Sequence, residues 1–281
     1  MLVNASSLFN TKSDEDWLEI LIRSVTEPRI NDIEMPRFPH RRVQEQFIGS
    51  ADEHAMREGF VFYNHVKQYC EALGNPLHNR SRLLDFGCGW GRYTRFFWHD
   101  IDEDCMLGVD VDPDIIAVCK ALGTPGSFER INPDGKLPYA DNSIDVITAY
   151  SVFSHLPENV AHHWMAELSR VAAPGCVIAF TTEPRRFLEF VGSIPTPPDN
   201  DWHASLARFK DDMPGHMAAF DRGEFCYIPT SGGDYRDADV YGDAAVPRSY
   251  MEKNWDQYFT LREYIDNPER FWQAFVVMQK T

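Results

Sequence analysis

One short stretch of the sequence combines an acid, three glycines and the start of a helix. Residues 83–91 read Leu-Leu-Asp-Phe-Gly-Cys-Gly-Trp-Gly, and apolar residues at helical spacing resume at Arg92. The pattern predicts a strand, a tight turn and a helix, because glycine permits positive φ and a helix N-terminus carries partial positive charge. We expect the backbone amides of such a turn to approach a ligand closely.

The spacing of this turn separates it from the common dinucleotide-binding turn. Asp85 precedes the glycines in the pattern D-x-G-x-G-x-G, whereas the dinucleotide fingerprint is G-x-G-x-x-G. A carboxylate at the end of the strand would repel a pyrophosphate and favour a cationic ligand. A nicotinamide-linked oxidoreductase of similar fold would also need a tyrosine–lysine pair for hydride transfer, and none is evident in the sequence.

A second acid follows at a spacing that suits a ribose. Residues 105–110, Cys-Met-Leu-Gly-Val-Asp, predict a strand that ends in Asp110, 19 residues after Gly91. In doubly wound folds an acid about 20 residues beyond the glycine turn binds ribose hydroxyls. Asp110 is therefore the candidate for binding a ribose.

The elements that must hold these residues alternate regularly between residues 82 and 180. Short apolar runs and helical patterns follow one another, which predicts right-handed βαβ units and a parallel sheet. The fourth strand is expected at 144–149 and the fifth at 177–181. Two further strands are expected at 258–265 and 274–279.

Four blocks in this order resemble the class I S-adenosylmethionine-dependent methyltransferase family, with a domain like methyltransferase types 11 and 25. Residues 85–91 match its first motif, and 105–110 follow as the second strand. Residues 137–147 resemble the run into its fourth strand, and 167–175 resemble the helix and turn before its fifth. One departure is Cys176, which stands where the family often has a second glycine.

The resemblance implies a cofactor, S-adenosyl-L-methionine, and a set of residues that bind it. Asn132 stands where the family often has an acid facing the adenine, and Arg92 could pair with the cofactor's carboxylate or be a surface arginine. The cofactor-binding residues expected are Asp85, Gly87, Cys88, Gly89, Gly91, Arg92, Asp110, Val111, Asn132 and Tyr150.

The same resemblance implies an α/β fold, a doubly wound Rossmann-like sheet of seven strands whose last strand is antiparallel. Residues 1–80 are expected to form an N-terminal helical cap and 81–281 the methyltransferase domain. An insert at about 183–246 contains aromatics and two predicted loops, 194–200 and 227–234. This mixture favours a lid over the substrate, and the alternatives are peripheral packing or a contact in a homodimer. Tyr63 in the cap either packs in the core or touches the cofactor.

His155 is the candidate catalytic residue. It follows the predicted fourth strand by six residues, near the carboxyl edge of the sheet where sites form in open α/β folds. A histidine titrates near neutrality and can take the proton of an acceptor hydroxyl, which a serine such as Ser151 cannot do. The alternative is that His155 caps the following helix or bonds a buried carbonyl. His203 and His216 are weaker candidates.

Composition limits the partners of the protein. The chain of 281 residues carries 43 acidic and 27 basic residues, a formal net charge of −16, which disfavours nucleic acid and anionic membranes. The six cysteines contain no C-x-x-C pair, which fits neither a zinc site nor a disulfide framework. The first residues lack a basic and apolar leader, and no apolar run of membrane-spanning length occurs, so a cytoplasmic protein is expected.

These features favour transfer of a methyl group to a small molecule. Residues 149–152 read Ala-Tyr-Ser-Val where enzymes that methylate base amino groups carry Asn/Asp-Pro-Pro-Tyr. The acceptor atom is expected to be an oxygen of a metabolite or sugar. Two alternatives stay open: a module that binds the cofactor without catalysis, and an NAD-linked oxidoreductase.

Overall fold

The computed structural model of the protein describes residues 11–230 and 237–281. The chain divides into two compact units. The first consists of the chain through residue 132 together with 139–148 and 172–177, and the second of 133–138, 149–171 and 178–281.

Seven strands form the main sheet: β3 Leu83–Phe86, β4 Met106–Asp110, β5 Ser127–Arg130, β6 Ile144–Ala149, β7 Ala172–Thr182, β10 Thr260–Ile265 and β11 Ala274–Gln279. Their order in the sheet is β10-β11-β7-β6-β3-β4-β5. The pairs β3–β4, β3–β6 and β4–β5 are parallel, and β10–β11 is antiparallel. The predicted seven-stranded, doubly wound sheet with an antiparallel last strand is confirmed, and that last strand, β11, lies between β10 and β7.

Helices precede the sheet in the first unit. They are α1 Asp14–Ser24, α2 Arg41–Ile48 and α3 Asp52–Ala72, and a short hairpin, β1 Arg29–Ile30 and β2 Ile33–Glu34, follows α1. Trp17 on α1 is fully buried, and its indole N–H donates to the carbonyl of Phe96 at 2.9 Å. The N-terminal helices are thus packed against the helix that follows the glycine turn, α4 Arg92–Phe97.

The segment 35–40 forms neither helix nor strand, and its two prolines, Pro36 and Pro39, disfavour a helix there. It is held by the buried guanidinium of Arg95, which donates to the carbonyls of Pro36 at 2.8 Å and Arg37 at 2.7 Å. The same guanidinium lies 4.6 Å from the ring centroid of Phe38, a cation–π contact. Burial removes water from this guanidinium, which lowers the pKa of Arg95 to about 9. The two carbonyls accept hydrogen bonds that water would otherwise accept.

Tyr63 on α3 is a packing residue rather than a cofactor contact. Its side chain is fully buried and stacks on Phe96 with ring centroids 5.4 Å apart. Its hydroxyl donates to Asp100 Oδ2 at 2.6 Å, and Lys67 Nζ lies 2.8 Å from Asp100 Oδ1. The division of the chain at residue 80 into a cap and a domain stays a prediction.

The remaining helices of the first unit and those of the second follow the strands. They are α5 Pro113–Ala121, α6 Glu158–Val171, α7 Arg185–Ser193, α8 Asp201–Ala207, α9 Met213–Asp221 and α10 Arg248–Asn254. In the part of the chain that the structure describes, no helix has the length and apolar character needed to cross a membrane.

The insert after β7 is mostly folded rather than loop. Besides α7, α8 and α9 it contains a hairpin of β8 Cys226–Ile228 and β9 Asp243–Ala245. Its apolar core is formed by Phe187, Leu188, Val191, Ile194, Leu206, Met213, Cys226, Ile228 and Ala245. The predicted loop at 227–234 is therefore wrong at its start, which pairs as a strand, and its end at 231–234 lies outside the described residues.

Candidate active site

The glycine turn between β3 and α4 depends on backbone conformations that favour glycine. Gly87, Gly89 and Gly91 have φ of 72°, 51° and 75°. A Cβ atom on Gly91 would lie 2.5 Å from Thr124 Cγ2, and one on Gly89 would lie 3.4 Å from Phe47 Cδ1 on α2. The turn is thus enclosed by its own unit, and larger side chains at these glycines would be strained.

Four amides of this turn donate inside the protein. The amides of Gly87 and Cys88 both donate to the carbonyl of Val109. The amide of Gly89 donates to Asp110 Oδ2, and the amide of Gly91 donates to the carbonyl of Cys88. The expectation that these amides face a ligand is wrong at these four positions, because β4 takes three of them. What the turn offers a ligand is a backbone surface that lacks bulky side chains.

Asp85 is the acid at the end of β3, and it is 1% exposed. Its Oδ1 accepts from the hydroxyl of Thr148 at 3.0 Å. Its Oδ2 is buried and has no hydrogen-bond partner among the described residues. Burial raises the pKa of this carboxyl to about 7. An orphaned carboxyl oxygen of this kind fits a ligand that brings a positive charge or a hydrogen-bond donor.

Asp110 is held in place at the end of β4. Its Oδ2 accepts from the amide of Gly89 and its Oδ1 from the amide of Asp112, each at 3.0 Å. The structure therefore brings the two predicted acids, Asp85 and Asp110, to the two strands that flank the glycine turn. A carboxylate at the second position suits ribose hydroxyls, which are hydrogen-bond donors.

Arg92 is not a surface residue, so that alternative is wrong. It is 3% exposed, and it donates to the carbonyl of Ala55 at 3.3 Å and to the hydroxyl of Tyr93 at 2.8 Å. Its predicted pairing with a cofactor carboxylate stays a prediction.

Two other predicted cofactor-binding residues, Asn132 and Val111, lie near the ends of β5 and β4. Asn132 is exposed after β5, and the carbonyl of Val111 accepts from Arg130 Nε at 3.3 Å.

In the second unit, Tyr150 and then His155 follow the end of β6. His155 Nε2 lies 3.2 Å from Ser151 Oγ, and His155 Nδ1 lies 2.7 Å from the carbonyl oxygen of Gly242. The imidazole stacks on the ring of Tyr241 with centroids 4.5 Å apart. The alternative that His155 bonds a carbonyl is thus correct for one ring nitrogen, while the other nitrogen faces a hydroxyl.

An acid from the insert lies behind this histidine. Asp243 Oδ1 is 3.6 Å from His155 Nδ1, and Asp243 Oδ2 accepts from the hydroxyl of Thr230 at 2.6 Å. Asp243 is 8% exposed, and burial raises its pKa while His155 and Thr230 lower it. Burial is the larger effect, and the two partners offset part of it.

Gln273 connects this group to the end of β7. Its amide Nε2 donates to Ser151 Oγ at 3.2 Å and to Glu183 Oε1 at 2.8 Å, and its Oε1 accepts from the hydroxyl of Thr181. Glu183 is 3% exposed, and burial raises its pKa to about 8. The amide fixes the positions of a hydroxyl and a carboxyl at the same time.

Sequence reasoning missed most of this second group. Glu183 follows a predicted strand, the same signal that identified Asp85 and Asp110, and could have been found in that way. Asp243 lies 88 residues from His155, within the insert, and no spacing relates the two.

Four other histidines lie in the second unit, two of which, His203 and His216, were also candidates from the sequence. His162 Nε2 is 2.8 Å from the hydroxyl of Tyr250, and His163 Nε2 is 2.7 Å from the carbonyl of Gly135. His203 Nδ1 is 3.3 Å from Asp199. His216, on α9, accepts at its carbonyl from the thiol of Cys226.

Comparison with known proteins places residues 83–175 in a family described as a methyltransferase domain. An uncharacterized methyltransferase of Schizosaccharomyces pombe is 29% identical over 135 residues, 44% of this chain and 45% of that protein. The malonyl-[acyl-carrier protein] O-methyltransferase of Pectobacterium atrosepticum is 28% identical over 114 residues, 38% of this chain and 40% of that protein. The chain thus matches less than half the length of these curated relatives.

Two solved structures share the fold. One is a protein from Pyrococcus horikoshii, with a TM-score of 0.54 and 16% identity, covering 82% of this chain and 92% of that one. The other is an S-adenosylmethionine-dependent methyltransferase from Clostridium acetobutylicum, with a TM-score of 0.52 and 12% identity, covering 78% and 90%.

Four observations agree with one another: the strand order, the glycine turn with its acid Asp85, the acid at the end of β4, and the matched domain. Residues 83–175, about a third of the chain, match the methyltransferase-domain family, and together these findings support a class I S-adenosylmethionine-dependent methyltransferase domain with S-adenosylmethionine as its cofactor.

Proposed function

We propose that the protein transfers the methyl group of S-adenosylmethionine to an oxygen atom of a small-molecule acceptor, a metabolite or sugar, in the cytoplasm. His155 takes the acceptor's proton. The observation that carries this proposal is the orientation of His155, whose Nδ1 lies against a carbonyl and whose Nε2 lies against a hydroxyl.

The two contacts define the protonation of the ring. A carbonyl oxygen can only accept, so His155 Nδ1 carries the proton that it donates to Gly242. In the neutral imidazole Nε2 then has a lone pair and can accept a proton. A base of this kind typically contributes 10² to 10⁴-fold to a rate, by removing a proton as charge develops.

The residues of the glycine turn fit the cofactor. Asp85 supplies a buried carboxyl oxygen without a partner among the described residues, Asp110 supplies a fixed carboxylate for a ribose, and the glycines supply a surface without side chains. When bound, the cofactor supplies an electrophilic methyl group. The protein's contribution is to orient the reactants and to hold the proton that the acceptor loses.

The class of acceptor is supported by charge and by relatives. A net charge of −16 disfavours nucleic acids as substrates. The relative from Pectobacterium atrosepticum is an O-methyltransferase by name, and so is a probable tocopherol O-methyltransferase of rice, 27% identical over 113 residues. Oxygen is therefore the acceptor atom that we propose for this chain.

Two measurements test the proposal. Calorimetry should show binding of S-adenosylmethionine and of S-adenosylhomocysteine in the micromolar range and no binding of NAD. Methyl-labelled cofactor should then transfer its label to members of a panel of phenols, sugars and small hydroxy acids. Heat with NAD alone would favour an oxidoreductase, and binding of both cofactor forms without transfer to any compound would favour a non-catalytic module.

The role of His155 is tested by a variant that keeps its hydrogen bonds. His155→Gln should lower turnover at least about tenfold while the affinity for S-adenosylhomocysteine and the melting temperature barely change, since Gln lacks a basic nitrogen. His162→Gln is the matched control, because His162 also bonds a hydroxyl, that of Tyr250. Equal turnover in the two variants would contradict a catalytic role for His155.

A further inference from the structure

We propose that Ser151, His155 and Asp243 form a proton relay, in which the acceptor's hydroxyl binds to Ser151 Oγ and its proton reaches His155 through that oxygen. This inference rests on the proposed function and adds two residues to it. Ser151 is a catalytic residue in this scheme because it touches the acceptor, and Asp243 is a positioning residue.

The hydrogen bonds of Ser151 define its part. A serine hydroxyl donates once and accepts twice. Gln273 Nε2 donates to Ser151 Oγ at 3.2 Å, and the hydroxyl proton of Ser151 is directed to the Nε2 lone pair of His155, also at 3.2 Å. Within the described part of the chain, one accepting position of Oγ is then left for a hydroxyl donor supplied by the acceptor.

The backbone holds Ser151 in a conformation that serine rarely adopts. Its φ is +57°, in the left-handed region, which is strained for residues other than glycine. The amide of Ser151 donates to the hydroxyl oxygen of Thr181 at 2.7 Å, which anchors this turn to β7. The turn after β6 therefore fixes the direction of the Ser151 side chain toward His155 and Gln273.

Asp243 completes the relay on the opposite side of the imidazole. Its Oδ1 lies 3.6 Å from His155 Nδ1, beyond hydrogen-bond distance but close enough for an ionised carboxylate to stabilise the imidazolium. Thr230 and the β8–β9 pairing hold Asp243 in place, and Gly242, its neighbour, binds Nδ1 directly. The insert thus orients the base and stabilises its charged form.

Protons and electrons balance in this step. The acceptor's O–H bond breaks and its proton bonds to Ser151 Oγ, while the original hydroxyl proton of Ser151 forms an N–H bond at His155 Nε2. The electron pair left on the acceptor oxygen would form the bond to the transferred methyl group, while the methyl–sulfur bond of the cofactor would break with its electron pair staying on sulfur, so that S-adenosylhomocysteine is the leaving group. His155 ends as an imidazolium beside Asp243, and Ser151 is unchanged.

Several other titratable groups surround the imidazole and enter any measurement of its pKa. The ring of Tyr241 stacks on it, and Asp243 Oδ1 lies 3.6 Å from Nδ1. Glu183 lies across Gln273 from Ser151, and it and Tyr227 interact electrostatically with Asp243.

Nitrogen NMR of the imidazole tests the relay without acceptor or cofactor. We expect Nδ1 to be protonated and Nε2 unprotonated in the neutral ring, and Asp243→Asn to lower the pKa of His155 by at least about half a unit because the carboxylate charge is lost. Asp239→Asn is the matched control, since it removes the same charge from an exposed position in the insert. A proton on Nε2, or equal pKa values in both variants, would overturn the proposal.

A phosphonofluoridate tests whether the proton of Ser151 passes to His155. Attack by Oγ forms an O–P bond, fluoride leaves, and the proton goes to Nε2. We expect labelling at Ser151 in the native protein, none after His155→Gln, and slower labelling after Asp243→Asn than after Asp239→Asn. Equal labelling of Ser151 in the native protein and in His155→Gln would overturn the relay. Absence of labelling at Ser151 in the native protein would also overturn it. If methyl transfer is observed but the NMR and labelling tests fail, this inference alone is contradicted. If both tests give the expected results but no compound is methylated, the proposed function is contradicted.

Discussion

At the scale of single residues, burial decides the properties of the acids that the protein uses. Asp85 and Glu183 are both almost fully buried, and burial raises the pKa of each carboxyl, to about 7 and about 8. Among the described residues, one oxygen of Asp85 accepts a hydrogen bond, from Thr148, and the other has no partner. A carboxyl in this state is costly to ionise alone, and a bound cation would offset that cost.

Asp85 therefore makes stability depend on pH. Between pH 4 and 7 the unfolded chain has lost this proton and the folded protein keeps it, so the free energy of unfolding falls as pH rises through that window. Asp85→Asn removes the dependence. We expect the free energy of unfolding of the variant, relative to native protein, to rise by about 2 kcal/mol from pH 5 to pH 8.

Urea unfolding at the two pH values measures this difference. Asp141→Asn, at an exposed position, is the control and should show no comparable change. The same Asp85 variant should bind S-adenosylmethionine more weakly at pH 8, since it lacks the carboxylate. If the difference in unfolding free energy between Asp85→Asn and the native protein stays constant from pH 5 to pH 8, Asp85 is ionised in the folded protein throughout that range.

At the scale of elements, the junction of β3 and α4 places the cofactor-binding residues by backbone conformation and close packing. Three positive φ values bring the chain from the strand into the helix, and the amides of Gly87, Cys88 and Gly89 donate to residues of β4. The turn is consequently rigid before any ligand binds, which limits the entropy that binding would cost.

Gly91 should tolerate alanine poorly for two separable reasons. The φ of +75° is strained for alanine, and the added Cβ would lie 2.5 Å from Thr124 Cγ2. Gly74 has nearly the same φ, +76°, with open space around its Cβ position. We expect Gly74→Ala to cost about 1 kcal/mol in unfolding free energy and Gly91→Ala to cost at least twice as much.

A second change shows whether the contact causes the excess. Thr124→Ser removes Cγ2 and keeps a hydroxyl for Arg95, whose Nη2 lies 3.1 Å from it. In the Gly91→Ala background this change should recover part of the lost stability and of the affinity for S-adenosylhomocysteine, both measured against the single variants. No recovery would assign the whole cost to the backbone.

At the scale of the whole molecule, the insert is a folded addition to a methyltransferase sheet. It has three helices, a hairpin and its own apolar core in the described residues, and through Gly242 and Asp243 it supplies two contacts to His155. Its role as a lid stays a prediction.

Limited proteolysis tests the lid. We expect S-adenosylhomocysteine to slow cleavage between residues 195 and 235, because a closing segment exposes its backbone less often. NAD is the control ligand and should leave the rate unchanged, and cleavage at other exposed sites serves as the reference within each sample. Equal cleavage with and without S-adenosylhomocysteine would make the insert a static part of the structure.

The sequence alone determined the sheet, the turn and the acids at the ends of β3 and β4. These follow from local signals: apolar runs, glycine where φ is positive, and spacings of about 20 residues within one βαβ unit. The number of strands and the antiparallel last strand, by contrast, were implied by the resemblance to methyltransferases, because local periodicity does not specify how strands are ordered in a sheet.

Tertiary structure alone decided the direction of the amides in the turn, the burial of Arg92 and the surroundings of His155. Each depends on contacts between segments far apart in the chain, such as Ser151 with Gln273 and His155 with Asp243. No short-range pattern encodes such a pairing, because the free energy that fixes it comes from burial and hydrogen bonding that exist only when the chain is folded.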